Sequence, residues 1–253
     1  MSAISLYAMP SADFDAKLAE SVAVLQRAAQ EYAPITQASS LGAEDMVVTD
    51  LLHRFGVHCG IFVLDTGKLH ADTLALLARL QSHYGREVEV FRPDANVAAA
   101  FVAENGEEAM YRSLELRKHC CHIRKMEPLE RALAGKRGWI TGLRREQSGA
   151  RAEVELVEVQ PARAKINPLA NWTWGDVWHY IAKHGVPYNP LHDQFYPSIG
   201  CEPCTRAVTL GEDPRSGRWW WEQESAKECG LHVDGAPSAV SPLSSVIPIR
   251  ALA

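Results

Sequence analysis

Apolar and polar positions alternate in two rhythms along the chain as far as Gly142, and the rhythms predict helices interleaved with short strands. Asp13 to Gln30 has helical spacing, with Ser11 a plausible cap. Ile35 to Ser39 is a short extended run. It passes into Ser40-Leu41-Gly42-Ala43-Glu44-Asp45 and then a helical stretch to about Arg54. Cys59 to Leu64 is a continuous apolar run of strand length that stops at Asp65-Thr66-Gly67. His70 to Tyr84 is helical, with Leu74, Leu77 and Leu80 expected on one side. Glu87 to Phe91 follows as a strand, then helical segments to about Leu133, then a strand over Trp139 to Gly142. Strands alternating with helices imply a parallel sheet covered on both faces, an α/β fold. In such sheets ligands sit beyond the carboxyl ends of the strands. Three strand ends, "SSLGAED", "LDTGK" and "TGLRR", are therefore expected to share one cleft.

From Pro161 onward the alternation fades. Asn171 to His184 is a Trp-rich helix, followed by a proline-rich loop to Cys201. Trp172, Trp174 and Trp178 lie at near-helical spacing and read as packing residues, as do Trp219 to Trp221. The last residues, "APSAVSPLSSVIPIRALA", follow neither rhythm and are expected to be poorly ordered or draped over the surface. The chain divides into a body over residues 1–215 and a mobile C-terminal segment over residues 216–253.

Composition narrows the class. The 253 residues are 47% hydrophobic, enough for a sizeable core. Twenty-six basic against 31 acidic side chains give a net charge of −5, which offers no electrostatic case for nucleic acid or membrane as a partner. Apolar runs such as Val97 to Ala103 are too short to span a bilayer, and the N-terminus lacks a basic region ahead of an apolar one. A cytoplasmic protein is expected. In a reducing compartment its six cysteines are metal ligands or reactive thiols rather than a disulfide framework.

"SSLGAED" is a small-residue turn between a strand and a helix. Such a turn can offer backbone N–H groups and a helix dipole to an anion, although it matches neither standard glycine-rich fingerprint. "GLRREQSGAR" supplies Arg144, Arg145 and Arg151, whose guanidinium groups suit phosphate or sulfate. Arg215 and Arg218 flank the start of the C-terminal segment and could reach the same ligand. Cys120-Cys121 and the Cys201-x-x-Cys204 pair could hold an iron–sulfur cluster or zinc, or be buried thiols. Adjacent cysteines on a helix point about 100° apart, which suits separated cluster corners better than one ion. Cys59, inside a strand, reads as core. Cys229 lies in "KECGLH" with Lys227 and His232 nearby, cations that favour thiolate, so it reads as a reactive thiol.

Taken in order, "SSLGAED", "LDTGKLH", "RKHCCHIRKMEPL", "ITGLRREQSGAR", "NPLANWTWGDVWHYI", "PYNPLHDQFYPSIGCEPCTRAV" and "KECGLH" resemble the assimilatory sulfonucleotide reductases. The likeness is to the bacterial iron–sulfur branch that acts on adenosine 5′-phosphosulfate (APS). Relatives using the 3′-phosphorylated nucleotide (PAPS) typically lack the four paired cysteines. One departure is Leu41 before Gly42, where the family often has Ser. The resemblance implies an adenine nucleotide α-hydrolase-like fold related to the PP-loop proteins. It implies reduction of APS to sulfite and AMP at the expense of thioredoxin or glutaredoxin, in sulfate assimilation and cysteine biosynthesis, with PAPS or dual specificity as the alternative. It implies one [4Fe–4S] cluster per chain on Cys120, Cys121, Cys201 and Cys204, and Cys229 as nucleophile, passing through an S-sulfocysteine. Lys125 matches a lysine between cluster and substrate. Arg144, Arg145, Arg215, Arg218 and His232 match contacts to the phosphate–sulfate end. Ser39, Ser40, Gly42, Ala43, Glu44 and Asp45, with Asp65, Thr66 and Gly67, match the nucleotide-binding turns. A homo-oligomer is possible.

Overall fold

The computed structural model describes residues 1–223. Cys229, His232 and the tail lie outside the described residues. The elements run α1 (Ala3–Tyr7), α2 (Phe14–Glu31), β1 (Ile35–Ser39), α3 (Ala43–Arg54), β2 (Gly60–Leu64), α4 (Ala71–Tyr84) and β3 (Glu89–Phe91). They continue with α5 (Ala95–Asn105), α6 (Ala109–Arg112), α7 (Leu114–Cys121), a π turn (His122–Met126) and α8 (Glu127–Leu133). β4 (Gly138–Ile140), β5 (Val157–Val159), β6 (Ala164–Ile166) and α9 (Trp174–His184) complete the frame.

One sheet has the strand order β3-β2-β1-β4-β6-β5. Every neighbouring pair is parallel except β5 with β6, which is antiparallel. This is the α/β class expected from the alternation. Successive side chains of a strand face opposite ways, and both faces are covered. Ile61, Val63, Ile140 and Ile166 join the large core with α2, α3, α4 and α9. Phe62 and Trp139 point the other way and pack on Leu129, Ala132 and Leu133 of α8. A third cluster, containing Phe101, Met110 and Trp219, surrounds the paired cysteines.

Three local expectations are corrected. Ser11 does not cap α2: Asp13 is the N-cap, and the Ser11 hydroxyl instead donates to the buried carboxylate of Asp176 at 2.8 Å. On α4 the buried stripe is Thr73, Leu76, Leu80 and Tyr84, while Leu74 is 41% exposed. Beyond Gly142 the sheet does not stop. β6 continues it beside β4, and β5 folds back on its edge. These strands are only three residues long, and buried Lys165 in β6, paired with Glu158 at 3.0 Å, hides the apolar signature.

Candidate active site

The sheet direction diverges from β1. The chain winds outward through β2 and β3 on one side, then returns to place β4 on the other. A crevice opens beyond the carboxyl ends at such a switch point. Here it is a cavity of about 540 Å³, a size suited to a small ligand. Ser39, Ser40, Gly42, Glu44 and Asp45 enter it after β1, Leu64 and Thr66 after β2, and Thr141, Gly142 and Arg144 after β4. The three turns expected to share a cleft do share one.

Buried polar ties set these turns. Gln37 of β1 donates from Nε2 to the Asp45 carbonyl at 2.8 Å and accepts from the Thr49 hydroxyl at 3.0 Å, which fixes α3 on the strand. Gly42 is the N-cap of α3 and brings no side-chain cap. Leu41 adopts the left-handed conformation (φ 62°) with its side chain in the core, so the turn is closed by burial of an apolar group where strain would oppose it. Asp45 Oδ2 accepts from the Ser40 backbone N–H at 2.7 Å and from its hydroxyl at 2.5 Å. Burial pushes the Asp45 carboxyl up to about 6, against the pull of those hydrogen bonds. Gly142 passes so close that a Cβ there would lie 2.5 Å from Asp45 Oδ1.

Five cationic side chains line the cavity, Lys125, Arg144, Arg151, Arg215 and Arg218, against three carboxylates, Glu44, Asp45 and Glu146. In a chain of net charge −5 this is a local excess of positive charge, a field that attracts anions. Arg144 is buried, lies 5.2 Å from the Trp174 ring centroid, and pairs with Glu44 at 3.0 Å and Glu146 at 2.9 Å. Burial opposes ionisation of Glu44, yet Arg144 and Gln147 bring its carboxyl below the usual range. Phe62, Leu64, Leu129 and Trp139 supply an apolar wall.

Beside this cavity is a second, smaller one, lined by all four paired cysteines. The "DTGK" turn pins the Cys201 loop. Thr66 Oγ1 lies 3.2 Å from Cys201 Sγ, and the Glu202 N–H donates to the Lys68 carbonyl at 2.7 Å. Gly67 makes the turn in the left-handed region (φ 70°). Cys120 and Cys121 end α7, and the π turn that follows carries Lys125. Such turns recur at functional sites. Lys125 and Trp219 line both cavities and form the wall between them. Burial raises the Cys120 thiol and, with Cys201 beside it, pushes Cys204 up to about 12. Lys68, Arg117 and Arg124 also line the smaller cavity, so positive charge surrounds the sulfurs. Among the described residues, no three of His, Cys, Asp and Glu close on a single ion.

Of the residues singled out in the sequence, Ala43, Asp65, Gly67 and Arg145 do not line the large cavity. Ala43 is buried in the first turn of α3, and Asp65 pairs with Arg92 at 2.9 Å. Arg145 turns outward to the Val154 carbonyl at 2.7 Å and Asn171 Oδ1 at 2.6 Å, because neighbouring Arg144 takes the inward position. Cys59, expected inside a strand, is half-buried just before β2, with its thiol raised to about 11 chiefly by burial. His192 escaped sequence reasoning. It lines the cavity, neither ring nitrogen has a hydrogen-bond partner among the described residues, and burial lowers its pKa to about 4. Its one signal is its position in the proline-bounded "PYNPLHD" loop.

A cationic crevice at the switch point of a mostly parallel sheet defines an α/β protein suited to an anionic ligand. Comparison with known proteins narrows this. The family model described as the phosphoadenosine phosphosulfate reductase domain matches residues 34–207. The chain is 53% identical to adenosine 5′-phosphosulfate reductase of Burkholderia cepacia over 220 residues, 86% of this chain and 88% of that one. It is 50% identical to the enzyme of the same name from Allochromatium vinosum, covering 85% and 84% of the two chains. The chain belongs to the PAPS/APS reductase family. Its fold is similar to that of phosphoadenylyl-sulfate reductase from Candida auris, at a TM-score of 0.64 and 24% identity, covering 79% of this chain and 98% of the other.

Proposed function

We propose that the protein reduces adenosine 5′-phosphosulfate to sulfite and AMP. The observation that carries this reading is the shared wall: a cationic, nucleotide-sized cavity and a four-thiol cavity meet at Lys125 and Trp219. The apolar wall of Phe62, Leu64, Leu129 and Trp139 suits a purine, and the cations suit the phosphate–sulfate end. Relatives named for this activity cover most of the chain.

Cys229 is the nucleophile in this reading. Its thiolate attacks the sulfonyl sulfur; a sulfur–sulfur bond forms, the sulfur–oxygen bond to the nucleotide breaks, and AMP leaves. An anionic sulfonyl repels a thiolate, so Lys125, Arg215 and Arg218, with His232, must screen it first. A thiolate of thioredoxin or glutaredoxin then attacks the Cys229 sulfur and expels sulfite. The second thiol of the partner closes its disulfide, so the dithiol supplies both electrons. Ser39, Ser40, Gly42, Glu44, Asp45 and Thr66 hold the nucleotide, with Arg144 and Arg151 across the crevice. The C-terminal segment, anchored at Trp219 and Glu222, carries Cys229 between substrate and partner.

Cys120, Cys121, Cys201 and Cys204 would hold a [4Fe–4S] cluster, one per chain. What supports this is that the four cysteines line one small cavity together with Lys68, Arg117, Arg124 and Lys125, cations that would offset a net negative group. Such a cluster would supply an electrostatic and structural support that Lys125 relays to the substrate. No helix among the described residues is long and apolar enough to cross a membrane, in keeping with work in the cytoplasm.

Native mass spectrometry of the anaerobic protein incubated with APS or PAPS, without a thiol reductant, tests the reading. One added SO₃ mapped to Cys229, forming readily with APS and poorly with PAPS, is expected. Equal adducts from both would make the enzyme dual, and no adduct with the iron intact would overturn the mechanism.

A further inference from the structure

The stretch leading toward Cys229 is fastened to the cysteine-bearing helix by a buried ion pair. Arg117 of α7 is 1% exposed, and its Nε and one terminal nitrogen donate to Glu222 Oε1 and Oε2 at 2.9 and 2.7 Å. Its guanidinium lies 4.8 Å from the Trp219 ring centroid, and Arg218 lies over the same ring at 4.6 Å. One side chain therefore lines the thiol cavity alongside Cys121, meets the wall between the cavities at Trp219, and holds the outgoing chain through Glu222. The same stretch is tied again where the Arg206 N–H donates to the Gly217 carbonyl at 3.0 Å and the Trp219 N–H to the Cys204 carbonyl at 3.2 Å. Trp219 itself is held at φ 43° while almost fully buried, a conformation that persists only where its surroundings impose it.

A buried ion pair is a poor source of stability compared with apolar packing of the same volume, because both charges lose their water. What it does supply is geometry, since a two-pronged guanidinium–carboxylate contact admits one register. We propose that Arg117 is a positioning residue: with Glu222 it clasps the outgoing chain to the thiol site and so sets the point from which Cys229 reaches the nucleotide. Glu222 precedes Cys229 by seven residues, an extended reach of at most about 25 Å. The start of that tether is aimed by a residue that also lines the thiol cavity. The inference rests on the reading of Cys229 as nucleophile and adds the means of its delivery.

The test uses the full anaerobic chain with Glu222→Gln and, separately, Arg117→Lys, which keeps the charge and loses the fork. Iron content, AMP affinity, hydrogen exchange over residues 215–223 and the rate of SO₃ transfer from APS to Cys229 are measured on each. Iron and AMP affinity should stay near wild type in Glu222→Gln. Exchange over the stretch should rise, and SO₃ transfer should slow by about tenfold or more, the scale expected of a misplaced reacting group. Unchanged exchange, or wild-type transfer per iron-loaded chain, would overturn the clasp. Loss of iron or AMP affinity in step with the rate would do so too, since the pair would then only support the fold. If Arg117→Lys fails to hold iron, Glu222→Gln decides alone. Absence of any adduct in the wild-type protein would instead sink the proposed function, and the clasp with it; hydrogen exchange separates the two failures.

Discussion

Gly142→Ala is the sharpest probe of the crevice. A methyl group at this position would lie 2.5 Å from Asp45 Oδ1, 2.9 Å from Glu44 Cβ and 3.1 Å from the Asp45 backbone nitrogen. The last two belong to the first turn of α3, which Gln37 and Thr49 hold to β1, so relief requires the turn after β4 to separate from the turn after β1. Overpacking of this kind costs about 1–3 kcal/mol. For a chain of this size that is a fall in Tm of roughly 3–10 °C. The separation widens the crevice floor, and AMP should bind about tenfold more weakly, a loss of about 1.4 kcal/mol. Gly149→Ala is the matched control, because a methyl there meets nothing within 4 Å. It should leave AMP affinity unchanged and stabilise the chain by up to about 1 kcal/mol through the unfolded state. Calorimetry gives both quantities for both variants. If Gly142→Ala matches wild type in Tm and in AMP affinity, the two turns do not share the crevice as described.

Two buried groups should give opposing pH dependences. Asp45, raised to about 6, contributes stability at low pH that is lost as pH rises from about 4 to 6. His192, lowered to about 4, contributes stability near neutrality that is lost as pH falls from about 6.5 to 4. Asp45→Asn should therefore steepen the rise of Tm between pH 4 and 6, and His192→Gln should flatten or reverse it; scanning calorimetry across that range checks both signs. Arg144→Met leaves Glu44 half-buried without its main cation and should cost about 3 kcal/mol or more, read from urea unfolding. Cys204→Ser should abolish bound iron and its visible absorption, and iron analysis would contradict the thiol-site reading if metal stayed at the wild-type level. Lys125→Met should keep the iron and slow SO₃ transfer to Cys229, which rapid-quench mass spectrometry would measure.

The first strands of the sheet were legible in the sequence because β2 is an apolar run and both β1 and β2 end in polar, glycine-bearing turns. The sequence hid β5 and β6, where three-residue strands carry Glu158 and Lys165, and a buried lysine reads as a surface residue until its partner is known. The crevice was legible as a set of turns but not as a set of side-chain directions. Nothing in "GLRREQ" says that Arg144 faces in and Arg145 out; that follows from Glu44, a hundred residues earlier, meeting Arg144 across the switch point. His192 and Arg117 were invisible for the same reason. Each takes its significance from neighbours brought together only by folding, the indoles of Trp174 and Trp178 for one and Glu222 for the other.

The wall common to the two cavities constrains redesign of nucleotide preference. Substitutions at Lys125 or Trp219 would alter the larger cavity and the one lined by the four thiols together, so selectivity changed there would carry a changed thiol site with it. Glu146 and Gln147 line only the nucleotide side, across the crevice from the cysteines. Libraries aimed at a different ligand are best confined to that rim, where selection for a new substrate does not also become selection on the four thiols.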